Sequence, residues 1–302
     1  MKILLLTDKP NWAYHSIAKA LVKYNPYPDI QISVMHIKKN KKAIRRKYKN
    51  FDRILVMGWQ NYKLVDFIPK QLVQVGIHSF HSWDKKKTTP EADVDPPKSL
   101  IKYLRSFNGV NAVSKRLTNL FRRHKVPVVY TPNGVDTDIF RPKPKEIDTT
   151  LTVGYSGSKA HDWRKGVSAF IVPSAKRAGC KVELAMLSTK KYVPLEDMPR
   201  FYDGVDVYVC ASSSEGMSLS VLEAAACGCP IIGTKISGNT EIIKNGETGF
   251  LVDRKVSDIV AKLELLKSPG VLKNMSSNVA KDIKNNWCWS KRAKAWIDYL
   301  RK

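Results

Sequence analysis

Short apolar runs alternate with longer amphipathic stretches from one end of the chain to the other. In the first half the runs fall at residues 3–6, 30–35, 54–57, 72–77, 110–113 and 126–130, and in the second at 151–155, 182–186, 205–210 and 231–233. Continuous apolar runs of this length read as strands covered on both faces. Between them, residues 16–23, 114–123 and 167–178 carry apolar side chains at helical spacing. Strand and helix in strict alternation predict parallel sheets with crossover helices, an α/β protein. Arg141-Pro142-Lys143-Pro144-Lys145 interrupts the alternation, because its prolines can neither donate to a ladder nor continue a helix. The pattern therefore divides into a domain over 1–140, a domain over 141–286 and a terminal helix over 287–302. In that helix Trp289, Ala293, Trp296 and Leu300 recur at helical spacing.

The length of 302 residues suits two cores, and a hydrophobic content of 43% is ordinary for a folded chain. The opening MKILLLTDKPNW holds an apolar run too short for a secretion signal, and no run approaches a membrane span. Five cysteines without a C-x-x-C spacing read as reduced, buried thiols. Together these features predict a cytoplasmic protein, with attachment to the inner membrane face as the alternative. Charge changes the picture more. The net formal charge is +25, and residues 1–150 hold 29 basic against 12 acidic residues, a net of +17. A field of that size draws polyanions, so it speaks about partners and not about fold.

The chemistry is concentrated in residues 205–252. Glu215 and Glu223 flank the junction of an apolar strand, a small-residue loop and an Ala-rich helix. Free amides and the helix dipole at such a junction favour a phosphate, while carboxylates accept hydrogen bonds from sugar hydroxyls. A ligand with a phosphate flanked by polyols fits both, and a nucleotide sugar is such a ligand.

This segment resembles the retaining glycosyltransferases of the GT-B fold, family 4, with their Glu-x7-Glu element. The matching residues are Ser212–Gly216, Leu222-Glu223-Ala224, Gly228, Pro230, Gly238–Glu241 and Asn245-Gly246 to Gly249, together with Pro132-Asn133-Gly134-Val135-Asp136. The resemblance is specific over residues 130–252. It implies two Rossmann-like domains facing a central cleft, with the last helix crossing back to the first domain. It also implies that Glu223 holds the ribose hydroxyls and Glu215 the transferred sugar. The amides of Gly216, Met217 and Ser218 would face the diphosphate beside Lys165, with Asn133 and Gly134 completing the donor contacts. The arginine usual after the preceding strand is missing, and Lys159 or Arg164 stands in for it. His78 matches a histidine near the donor sugar, with Glu215 the other residue at the reacting centre. The implied reaction retains anomeric configuration, holds no tightly bound cofactor and uses a nucleotide sugar as co-substrate, a UDP-sugar foremost, with GDP and ADP sugars as the family's alternatives. Asp93-Val94-Asp95 and Asp136-Thr137-Asp138 have a metal-binding spacing but read as structural, and lysine neutralisation makes a metal unnecessary.

On the acceptor side, loops after strands bring Asp8, Asn11 and Trp12, then Gly58 and Trp59, then His78, His81 and Trp83 to the carboxyl edge of the first sheet. The glycine-rich first loop common in the family is absent. Each tryptophan alone is a core residue, whereas three in successive loops suit a stacking surface. Lys38, Lys39, Lys41 and Lys42 follow the second strand, Lys85-Lys86-Lys87 follow the fourth, and Arg45, Arg46, Lys47 and Lys49 read as the wet face of a helix. Two lysine clusters on one rim predict an anionic acceptor. Hydroxymethylated DNA is the leading reading, and a lipid or polysaccharide at an anionic membrane surface is the alternative. A non-catalytic binding module is the third reading, and intact Glu215, Glu223 and Lys165 argue against it.

Overall fold

The computed structural model describes residues 1–80, 83, 94–144, 150–187 and 189–302. His81, Lys85, Lys86, Lys87 and Asp93 lie outside the described residues. The chain forms two compact units. One takes its described residues from the stretch up to Gly134 and from Trp289–Lys302; the other comprises Val135–Cys288.

The first unit is built on six parallel strands, β1 (Lys2–Thr7), β2 (Gln31–His36), β3 (Arg53–Val56), β4 (Val73–Ile77), β5 (Gly109–Ala112) and β6 (Val128–Tyr130). Their order is β2-β1-β3-β4-β5-β6. The second unit has β7 (Thr152–Ser158), β8 (Lys181–Leu187), β9 (Val207–Cys210), β10 (Ile231–Thr234) and β11 (Gly249–Val252), ordered β11-β10-β9-β7-β8 and again parallel. The apolar runs of the sequence thus become strands. The addition is β11, whose four residues begin with a glycine and give too little pattern to be read as a strand. Fully buried Ile3, Leu4, Leu5 and Leu6 show why such runs are not alternating: helices cover both faces of the sheet.

Strand order positions the chemistry. β7 leads to β8 on one side of its sheet, whereas β9 leads to β10 on the other, so the chain reverses its direction of travel between β7 and β9. The first unit repeats this between β1 and β3. Ligands of open parallel sheets bind outside the carboxyl ends of the strands at this switch.

The final helix, Trp289–Arg301, packs within the first unit. Trp296 is fully buried and its indole donates to the Pro132 carbonyl at 2.8 Å, while the Gln74 amide donates to the Tyr299 carbonyl at 3.1 Å. Truncating a buried tryptophan of this kind costs roughly 3–5 kcal/mol, so Trp296 is the anchor of the helix. The cations after β2 are helical from the outset, since the helix Ile37–Lys47 begins directly at the strand end and bends at Asn40. Only Ile37 and Ile44 of that helix are buried.

Candidate active site

In the second unit β9 runs out into the small-residue loop Ala211–Ser218, which enters the helix Leu219–Ala226. Beside it, β7 ends at Ser158 and passes through a tight turn, Lys159–His161, into the short helix Asp162–Lys165. The two loops are tied together by backbone. Ser213 N donates to the Arg164 carbonyl at 2.8 Å. Arg254 fastens the same joint, its Nε donating to the Ala211 carbonyl at 2.8 Å and its Nη2 to the Arg164 carbonyl at 3.1 Å. Gly166 ends the short helix at φ 72°, where a Cβ would lie 2.9 Å from the Ala211 carbonyl. Gly238 presses on the far side, where a Cβ would come within 2.8 Å of the Gly216 carbonyl. Both positions combine a left-handed backbone with close approach, and only glycine tolerates the two together.

This frame sets two carboxylates in opposite electrostatic states. Glu215 is paired with Lys165 Nζ and, at 3.0 Å, with Arg164 Nη1. Burial would raise its pKa, but the two cations prevail and hold it at about 2. Arg164 is itself buried, and its Nη1 also donates to the Ser214 carbonyl at 2.5 Å. Glu223 has no ion-pair partner among the described residues. Burial lifts its pKa to about 7, and the hydrogen bond from Tyr202 Oη to its Oε2 at 2.9 Å opposes that lift only in part. Tyr202 Oη lies 2.9 Å from Ser156 Oγ, which lies 3.2 Å from Tyr208 Oη. Three hydroxyls from the helix Met198–Asp203, β7 and β9 therefore stand behind one glutamate.

The structure brings Lys165 and Glu215 into contact and places Glu223 on the helix that follows them. Gly216, Met217 and Ser218 form the buried approach to that helix, and the Ser218 hydroxyl lies 2.9 Å from that of Ser220. Lys159 is exposed on its turn. Arg164 is the cation built into the site, so of the two stand-ins for the missing arginine it is Arg164 that reaches Glu215. Asn133 and Gly134 belong to the first unit, where Gly134 backs onto Trp289. The supporting residues Arg254, Tyr202, Ser156 and Tyr208 escape a sequence reading, since tyrosines in apolar runs look like core until their hydroxyls are placed.

In the first unit His78 follows β4, with its ring 4.8 Å from Tyr14 and 6.0 Å from Trp296. Burial lowers its pKa to about 3, the Met57 carbonyl opposing slightly, so the ring is neutral. Asp8 lies close enough to Tyr14 to raise that phenol further above its burial-shifted value. Asp8 Oδ1 and His78 Nε2 are buried without a hydrogen-bond partner among the described residues. The tryptophans have separate neighbours. Trp12 is exposed beneath the Lys9 ammonium, 3.2 Å from its ring centre. Trp59 stands against Tyr103, and Trp83 packs on Phe121 while its indole donates to the Val94 carbonyl at 2.8 Å. Asp95 pairs with His124 at 3.0 Å, and Asp136 Oδ1 accepts from Asp138 N at 3.1 Å in a turn. Among the described residues no group of three His, Cys, Asp or Glu could hold a metal ion, and no helix is long and apolar enough to cross a membrane.

Residues 181–282 match the family model described as Glycosyl transferases group 1. A trehalose synthase of Pyrococcus horikoshii is 32% identical over 164 residues, which are 54% of this chain and 39% of that protein. A UDP-Gal:alpha-D-GlcNAc-diphosphoundecaprenol alpha-1,3-galactosyltransferase of Escherichia coli is 35% identical over 97 residues, 32% of this chain and 25% of that protein. The chain thus spans well under half the length of these curated relatives. Among solved structures, the sucrose-phosphate synthase of Thermosynechococcus elongatus superposes with a TM-score of 0.79 at 15% identity, covering 100% of this chain and 98% of that one. Anabaena Alr3699/HepE in complex with UDP and glucose superposes at 0.72 and 11% identity, covering 100% and 99%. These likenesses establish the fold.

Proposed function

We propose, for a chain that carries a glycosyl transferases group 1 domain on a GT-B fold, the transfer of a sugar from a nucleotide sugar to a hydroxyl of a polyanionic acceptor. The observation that carries this reading is the pair of unlike glutamates at the carboxyl ends of β7 and β9. Glu223 keeps an oxygen for the ribose hydroxyls. Lys165 and the amides of residues 216–218 supply the positive side for a diphosphate, and Glu215 accepts from hydroxyls of the transferred sugar. A uridine nucleotide is supported by the UDP held by the Anabaena neighbour.

In the proposed reaction the bond from the sugar's anomeric carbon to the leaving phosphate breaks. The acceptor oxygen bonds to that carbon on the same face, and the acceptor proton passes to a phosphate oxygen, so configuration is retained. Glu215 is fully ionised and committed to two cations, so it serves as an acceptor of hydrogen bonds and not as a nucleophile. Lys165 stabilises charge growing on the diphosphate, an effect that costs no reorganisation when the cation is already placed. For the first unit, the proposal keeps His78 as a neutral hydrogen-bonding ring for a sugar hydroxyl, with Asp8 near it.

The acceptor reading rests on the helix Ile37–Lys47. Lys38, Lys39, Lys41, Lys42, Arg46 and Lys47 are exposed, and none has an ion-pair partner among the described residues. Like charges three and four apart cost roughly 0.2–0.5 kcal/mol per pair, so the helix is self-repelling until an anion neutralises it. An anionic glycan or lipid is favoured by the Escherichia coli relative, whose name specifies a diphosphoundecaprenol acceptor. It is consistent with a peripheral position at the inner membrane face. Hydroxymethylated DNA rests on the charge alone. Offering a labelled UDP-sugar panel together with anionic lipid extract and hydroxymethylated duplex DNA separates them. Label in lipid or glycan supports the first acceptor and label in nucleosides the second. No nucleotide release from any donor overturns the enzymatic reading.

A further inference from the structure

The proposed donor site is one carboxylate wide where the nucleotide's ribose would sit, and that carboxylate is backed by a chain of hydroxyls. We propose that Tyr202 is a positioning residue of the nucleotide site: with Ser156 and Tyr208 behind it, it fixes one oxygen of Glu223 as an internal acceptor. The other oxygen is then the sole one offered to ligand hydroxyls, and the carboxylate must be ionised to receive them. This inference rests on the reading of Glu223 as the ribose contact.

The argument is one of counting protons. A phenol has one proton, and Tyr202 spends it on Glu223 Oε2 at 2.9 Å. Its oxygen must therefore accept from Ser156 Oγ, also at 2.9 Å. Ser156, having donated, can only accept at its hydroxyl, and Tyr208 Oη lies 3.2 Å from that hydroxyl and 3.2 Å from the Ser156 carbonyl. The Ser156 amide donates to Tyr208 Oη at 3.1 Å, and the Ser220 side chain also bonds to that phenol. The direction is thus fixed from Ser156 through Tyr202 to Glu223, with Tyr208 packed behind Ser156. Glu223 Oε1 takes no bond from any described residue.

A proton on Glu223 therefore sits on Oε1, the oxygen that must accept from the ribose. The titratable groups facing it are Tyr202, on the packed helix, and Cys227, beyond its own helix; burial raises both, so neither is charged. Hydrogen bonds to a charged acceptor are roughly twice as strong as neutral ones, so the nucleotide selects the ionised form and expels the proton to the buffer. With the carboxyl's pKa raised to about 7, that expulsion falls within the neutral range. Affinity should then fall as pH drops below about 7, and proton release on binding should be largest at acid pH.

The test is calorimetric titration of the full chain with UDP, GDP and ADP from pH 5.5 to 8.5, in buffers of different ionisation enthalpy. Wild type is compared with Tyr202→Phe, Ser156→Ala and Glu223→Gln, each checked for folding by thermal melting. The expected result is nucleotide binding that weakens below pH 7 in the wild type. Losing a hydrogen bond to a charged group leaves Tyr202→Phe about tenfold weaker at pH 6.5 and closer to wild type at pH 8.5, its midpoint moved up. Glu223→Gln binds weakly with no pH dependence. Ser156→Ala keeps the phenol but removes its donor, and it shifts the midpoint the same way by less, which serves if Tyr202→Phe does not fold. If Glu223→Gln binds as wild type does, or no nucleotide binds, the donor-site reading itself is wrong and the inference falls with it. If Glu223→Gln is weakened while both Tyr202→Phe and Ser156→Ala track wild type at every pH, the donor site stands and the positioning role is overturned.

Discussion

The two units share a strand order, yet their carboxyl edges are filled in opposite ways. At β7 and β9 the buried charges have partners in contact: Glu215 is held by Lys165 and Arg164, which leave one positive charge over, and Glu223 is raised toward its uncharged form. At the edge of the first sheet the helix after β2 presents cations that nothing among the described residues neutralises. The difference teaches how each region would recognise a ligand. A matched site selects by position, because each group is held by buried neighbours. An unmatched one selects by field, because exposed lysines attract any polyanion and discriminate little.

Lys165→Ala breaks the matched site most severely. It leaves Glu215 on Arg164 alone and removes a cation from the phosphate side, and kcat for sugar transfer should drop about 10²–10³-fold, measured with a UDP-sugar. Reversing Lys38, Lys39, Lys41 and Lys42 to glutamate should weaken the anionic acceptor tenfold or more and flatten the dependence of its affinity on salt. Nucleotide affinity should stay unchanged in a titration, which separates the field from the site. Arg254→Ala removes the clamp that joins the Ala211 and Arg164 carbonyls. Losing those bonds to a charged donor should cost about 1–3 kcal/mol, visible as a lower melting temperature and weaker nucleotide binding.

Stability against pH sharpens the contrast within the matched site, because the two glutamates push it in opposite directions. Glu215 has its folded pKa depressed to about 2, so its contribution is present above the usual 4.5 and is lost as pH falls toward 2. Glu223 has its folded pKa raised to about 7, so its contribution is present below 4.5 and is lost as pH rises through 7. Melting curves of Glu223→Gln minus wild type should therefore slope between pH 4.5 and 7, whereas those of Glu215→Gln should slope between pH 2 and 4.5.

The matched region was the more legible of the two in the sequence. Apolar runs marked the strands, and a strand, a small-residue loop and an Ala-rich helix marked where an anion and two carboxylates belong. What the sequence did not show was which partners divide the two buried glutamates. Arg164 was one of two candidate stand-ins and only the fold sets it on Glu215, while Tyr202 is distant along the chain from Glu223 and carries no local signature. The first unit was legible as a sheet and much less so as a site. Three tryptophans in three loops suggested one surface, yet Trp83 is held by Phe121 and the Val94 carbonyl while Trp12 lies exposed under Lys9. Spacing along the chain does not say which indole finds a backbone partner, and that partner decides whether the ring is structural.

The most direct test of the central claim is diffraction from crystals of the full chain grown with UDP. The account predicts the ribose hydroxyls on Glu223 Oε1 and the phosphates between Lys165 and the amides of residues 216–218. Uridine diphosphate bound away from β7 and β9, or at that edge with its ribose remote from Glu223, would contradict it.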